Sequence, residues 1–114
     1  MAIEEGHVRR VLLADRAAAI ARRGELLSDL RSVVEGSRDV ATDDEHDPEG
    51  ATIAYERSKV TALLRQADEQ LADIERALTR LDAGDYGTCE GCGCAIGKER
   101  LQARPSAAVC VECA

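Results

Sequence analysis

The stretch "VTALLRQADEQLADIERALTRL", residues 60–81, carries apolar side chains at Val60, Leu64, Ala67, Leu71, Ile74, Leu78 and Leu81. The steps between them are 4, 3, 4, 3, 4 and 3, the a/d seam of a heptad helix. Arg65, Asp68, Glu69, Asp73, Glu75 and Arg76 fall between the seam positions and form a solvated face. The spacing predicts a helix over 53–83, ended by the stop signals of "AGDYG" at 83–87. An apolar seam of this kind needs another helix to cover it.

Residues 4–34 supply that partner. A rougher stripe runs through Leu13, Ala17, Ile20, Gly24, Leu27 and Val34, flanked by Leu12, Leu26, Leu30 and Val33. Gly24 in a helix interior costs about 1 kcal/mol against Ala, so it is expected to mark a close contact or a slight bend. Two helical segments of equal length, joined once, make an antiparallel hairpin with matched ends. The joint is "GSRDVATDDEHDPEGAT", residues 36–52, with two Gly and one Pro. The expected fold is therefore all-α: an antiparallel two-helix coiled-coil hairpin over 1–83 with its tip at about 36–52, then a C-terminal four-cysteine module over 84–114.

Composition agrees with a thin helical molecule. The 114 residues include no Trp, no Phe and only two Tyr, Tyr55 and Tyr86. The apolar residues are mostly Ala, Leu and Val, which suit helix-on-helix contact better than a thick core. Net charge is −7, and it is uneven. Residues 1–40 balance seven basic against seven acidic groups, 41–83 hold five against eleven, and 84–114 hold three against four. An acidic middle excludes a duplex-DNA binder held by phosphate contacts, and equally an anionic membrane surface. No apolar run approaches the roughly 20 residues of a membrane span. The opening "MAIEEGHVRRVLL" lacks the basic-then-apolar order of a signal peptide, so a cytoplasmic protein with reduced thiols is expected.

All five cysteines lie between 89 and 113, and four of them form C-x2-C-x17-C-x2-C: Cys89, Cys92, Cys110 and Cys113. Two C-x-x-C knuckles supply the four thiolates that tetrahedral zinc takes in closed structural sites. Gly91 and Gly93 flank Cys92, where tight knuckles call for positive φ. A module of about 30 residues without a core draws much of its folding free energy from metal. One structural Zn²⁺ is expected. Cys94 is left over, either a tolerated neighbour of the knuckle or a redox trigger.

"TDDEHDPEG" packs Asp43, Asp44, Glu45, Asp47 and Glu49 into seven residues. Pro48 stands where a calcium-binding EF-hand loop needs Gly, and His46 is a lone His in a polar loop. The segment reads either as a solvated turn or as carboxylates carried on the end of a stiff hairpin toward a cation.

"DAGDYGTCEGCGCAIGKERLQARPSAAVCVEC", residues 82–113, resembles the zinc finger of the DksA/TraR family of bacterial transcription regulators. The likeness covers the Tyr86-Gly87 lead-in, the cysteine spacing and "IGKERLQARP" between the pairs. The resemblance implies a hairpin that enters the secondary channel of RNA polymerase, with its tip approaching the catalytic Mg²⁺ site, often in concert with ppGpp. The family's tip pattern D-x-x-D-x-A falls on Asp44 and Asp47, and then on Glu49, or on Ala51 if Pro48-Glu49 is an insertion. Lys98, Arg100 and Arg104 near the zinc would meet an acidic channel rim. The sequence closes one residue after Cys113, so the C-terminal helix of longer members is not expected.

The expected function is a non-enzymatic transcription regulator that binds RNA polymerase, without sequence-specific DNA binding. The alternatives are a zinc- or redox-sensing coiled-coil protein, or an adaptor for another large machine such as the ribosome. No nucleophile–base pair and no open metal position points to catalysis.

Overall fold

The computed structural model describes residues 4–39 and 48–114, with side chains at 4–36 and 50–114. Helix α1 spans Glu5–Asp39, α2 spans Pro48–Ala83 and the short α3 spans Lys98–Ala103. Among the described residues there is no strand, only an isolated antiparallel bridge between Thr88 and Ala95. None of the described helices is long and apolar enough to cross a membrane.

Both long helices run further into the acidic joint than 36–52 suggested, because local chemistry favours it. Pro48 is the first residue of α2. A proline there lacks an N–H that would be unpaired anyway, and its fixed φ is already helical. The far end of α2 closes with a Schellman pair: Asp85 N–H donates to the Arg80 carbonyl at 2.8 Å and Gly84 N–H to the Leu81 carbonyl at 3.3 Å.

Two compact units divide the chain. One comprises Met1–Ala19 with Gln70–Ala114, the other Ile20–Glu69. In the first, Leu12, Ala19, Ile74, Ala77 and Leu81 form the core, with Val8, Leu71, Leu78 and Tyr86 packed on it. Leu12 and Ile74 are almost wholly enclosed. Each contributes about 1.5–3 kcal/mol by burial. In the second, Leu26, Leu64 and Ala67 form the core, with Leu30, Val60 and Leu63 against it. Every position of the 60–81 seam is thus buried or half-buried.

The helices are antiparallel. In the first unit Arg9 pairs with Asp82 at 2.7 Å and Arg16 with Glu75 at 3.5 Å. In the second, Arg23 pairs with Asp68 at 2.6 Å. Each step adds seven on α1 and subtracts seven on α2. These pairs are about half exposed, so each is worth only about 0.2–1 kcal/mol. They select register more than they stabilise.

On α1 the buried row differs from the expected one. Leu12, Ala19 and Leu26 face the partner helix, while Leu13, Ile20 and Leu27 are 48%, 47% and 37% exposed. The two rows are one residue apart, about 100° around the helix. The expected row includes Ala17 and Gly24, which bury little. The observed row adds Val8 and Leu30, and so removes more apolar surface from water. Gly24 lies inside unbroken helix, and a Cβ there would meet nothing within 4 Å, so it marks no close contact.

Candidate metal centre

Residues 84–114 have a small core of Cys89, Ile96 and Leu101, with Tyr86, Ala107, Val109 and Cys110 against it. Tyr86 touches both this cluster and the helical core of the same unit, and its hydroxyl donates to the Pro105 carbonyl at 2.8 Å. Burial pushes the Tyr86 phenol up from its ordinary 10.0.

The first knuckle is a tight loop. Cys89 N–H donates to the Cys94 carbonyl at 2.8 Å, Ile96 N–H to the Gly87 carbonyl at 2.7 Å and Gly93 N–H to the Cys89 carbonyl at 2.9 Å. Gly93 has φ +77°, as the knuckle demands. Gly91 does not adopt positive φ; its reason is proximity. A Cβ on Gly91 would lie 3.1 Å from Cys113 Sγ and 3.2 Å from Cys113 Cβ, tight enough that the Cys113 side chain would have to give by a few tenths of an ångström. That knuckle closes with Cys113 N–H and Ala114 N–H on the Cys110 carbonyl, at 3.1 and 3.0 Å.

These two loops bring Cys89, Cys92, Cys110 and Cys113 together, with all four sulfurs within 4.8 Å of one another. Cys92 Sγ and Cys110 Sγ are 3.8 Å apart. Sulfurs at about 2.3 Å from a tetrahedral zinc sit about 3.8 Å from each other. The donor set and its spacing fit zinc and leave no open ligand position.

The electrostatics call for a cation. Backbone N–H groups of Gly91 and Cys110 each reach Cys89 Sγ at 3.3 Å. Such bonds, the one from Cys110 foremost, pull the Cys89 thiol from 9.0 down to about 6 against the effect of its burial. Cys113 goes the other way, pushed up to about 12, because the sulfurs of Cys89, Cys110 and Cys92 around it, Cys89 foremost, favour its protonated form. Four thiolates this close repel one another, and a dication removes the conflict.

Cys94 lies outside the cluster with its thiol exposed; its backbone carbonyl is what the knuckle uses. Lys98 and Arg104 are exposed. Arg100 is half-buried and donates from Nε to the Val109 carbonyl at 2.8 Å, so it ties α3 to the second knuckle. Of the tip residues, Asp44 and Asp47 lie outside the described residues, as does the Glu49 side chain; Ala51 is exposed in the first turns of α2.

Two features carried no sequence signal. Helix α3 is six residues long, too short for periodicity, and only Leu101 of it is buried. Arg80 is one more charge on a heptad helix in sequence, yet it is 19% exposed and bonded to Glu90, Asp85 and Thr88.

Residues 84–114 match the family model of the prokaryotic dksA/traR C4-type zinc finger. The chain is 39% identical over 69 residues to the RNA polymerase-binding transcription factor DksA of Haemophilus influenzae, covering 58% of this chain and 48% of that protein. To the protein of the same name from Escherichia coli K12 it is 31% identical over 110 residues, 94% of this chain and 66% of that one. The chain thus spans between about half and two thirds of the length of these curated relatives. The solved structure of transcription factor DksA2 from Pseudomonas aeruginosa superposes with a TM-score of 0.77 at 30% identity, covering 96% of this chain and 78% of that one. The cofactor is a structural zinc ion, held by a C4-type finger on a two-helix hairpin. With the finger matched and the likeness running the length of both helices, the chain belongs to the DksA/TraR family.

Proposed function

We propose that this protein is a transcription regulator that binds RNA polymerase, inserting its helical hairpin through the enzyme's secondary channel. The observation that carries this is the 30%-identical likeness to a solved DksA2 over 96% of the chain, joined to relatives named RNA polymerase-binding transcription factor. Residues 1–83 form the inserting part and 84–114 the base. Asp44 and Asp47, with Glu49 and Ala51, act at the tip, where carboxylates meet the cation-rich surroundings of the polymerase centre. Cys89, Cys92, Cys110 and Cys113 hold the zinc. Lys98 and Arg104 face an acidic rim at the channel mouth; Arg100 contributes there less, because its guanidinium is engaged with the Val109 carbonyl. The protein works in the cytoplasm, performs no catalysis of its own and reads no DNA sequence, in keeping with its net charge of −7.

The test is a matched pair of assays on the Asp44→Asn/Asp47→Asn double variant. Co-purification with RNA polymerase should stay near wild type, while the effect on transcription from a responsive promoter, with and without ppGpp, disappears. A double variant that regulates like wild type removes the tip from the account. A wild-type chain that fails to co-purify with polymerase removes the polymerase.

A further inference from the structure

Outside the 84–114 finger, one side chain of α2 is built into the first knuckle. The Arg80 guanidinium, only 19% exposed, donates from one NH2 group to the carbonyls of Asp85, at 3.0 Å, and Thr88, and from the other to Glu90 Oε1 at 2.9 Å. Thr88 and Glu90 are the residues on either side of Cys89. Arg76 adds a weaker contact to Glu90 Oε2 at 3.6 Å. The Glu90 N–H in turn donates to the Ala108 carbonyl at 2.9 Å, on the segment that leads to Cys110. Cys110 is also the residue whose N–H reaches Cys89 Sγ.

We propose that Arg80 is a positioning residue of the zinc centre. It holds the Thr88 carbonyl on one side of Cys89 and the Glu90 carboxylate on the other, so that the sulfur of the most enclosed of the four cysteines points at the metal, and it makes zinc retention depend on the last turn of α2. The planar guanidinium suits this task. It spans two carbonyls and a carboxylate at once with several fixed donors, which the point charge of a lysine cannot reproduce. Groups that orient metal ligands from one step away commonly change metal affinity by about 10–100-fold when removed.

The experiment uses the full zinc-loaded chain and follows transfer of zinc to a chromophoric chelator. Arg80→Ala should release zinc about 10–100-fold faster than wild type. Arg80→Lys, which keeps charge and helix propensity, should fall between. Titration with Co²⁺, read by its thiolate charge-transfer band, should show the same order of weakened binding. Asp68→Ala, which removes an ion pair of the other unit, should release zinc at the wild-type rate, as a mere loss of helix stability would not allow for Arg80 alone. Circular dichroism at 222 nm checks that each variant remains helical. Should Arg80→Ala fail to fold, Arg80→Lys decides. Wild-type release and wild-type Co²⁺ binding in the folded Arg80 variant overturn the proposal, and so does equal acceleration in Asp68→Ala.

Discussion

Gly24 sits in the middle of α1, exposed, with open space where a Cβ would go. Gly24→Ala should therefore stabilise the hairpin by about 0.5–1 kcal/mol, chiefly by restricting the unfolded chain. A thermal melt followed at 222 nm would show it as a raised Tm. The neighbouring leucines give a sharper contrast. Leu12→Ala empties a site that is 0% exposed and should cost about 2–5 kcal/mol. Leu13→Ala, one residue on and 48% exposed, should cost under about 1 kcal/mol. Denaturant midpoints of the two variants separate the observed packing from the one that sequence periodicity alone favoured. That periodicity misled on α1 because leucines stand side by side at 12/13 and 26/27, offering two rows of similar spacing. On α2 leucines stand side by side only at 63/64, and the unbroken heptad row from Val60 to Leu81 was readable without a structure.

At the level of helices and loops, register is set by three arginine–carboxylate pairs a heptad apart. Arg16→Glu should lower stability by about 0.5–1 kcal/mol, by losing one pair and placing like charges together. Adding Glu75→Arg should restore most of it, measurable as a double-mutant cycle. The finger was legible for a different reason. Zinc dictates ligand type and spacing, so C-x2-C-x17-C-x2-C carries its chemistry in one dimension. The contacts that support that site, those of Arg80 and the Tyr86–Pro105 bond, depend on how the chain folds back on itself, and no local pattern announces them. The ionisation pattern has a measurable outcome. With the four sulfurs gathered, the Cys89 thiol is pulled down to about 6 by the N–H groups aimed at it and is the first to ionise, whereas the Cys113 thiol is pushed up to about 12. Zinc binding to the apo-protein should release fewer than four protons, counted by calorimetry in buffers of different ionisation enthalpy. Because protons compete with zinc for sulfur, affinity should fall as pH falls.

Across the whole chain, metal and packing divide the work. The helical clusters are built from leucine, isoleucine and alanine, while the finger's own cluster has only Cys89, Ile96 and Leu101 at its centre. Chelation of zinc should thus expose amides of 84–114 to hydrogen exchange well before those of the Leu26–Leu64–Ala67 cluster. The acidic segment is the part for which sequence offered motif alone: Asp44 and Asp47 lie outside the described residues, and their role rests on the proposed partner.

Tyr86 makes this division visible by light. The chain has no Trp and only two tyrosines, and Tyr55 is 70% exposed. Tyr86 is the half-buried one, hydrogen-bonded across the finger and packed on the helical core of its unit. Its phenol is held protonated above the ordinary 10.0, so the folded state binds that proton more tightly than the unfolded chain. The associated stability is present below about pH 10 and is lost as pH rises through the raised value. Tyrosine emission and the 295 nm phenolate band therefore act as an internal gauge of the finger, with Tyr55 as the solvent reference. Zinc loading, and any loosening in the Arg80 variants, can be followed on the unlabelled protein.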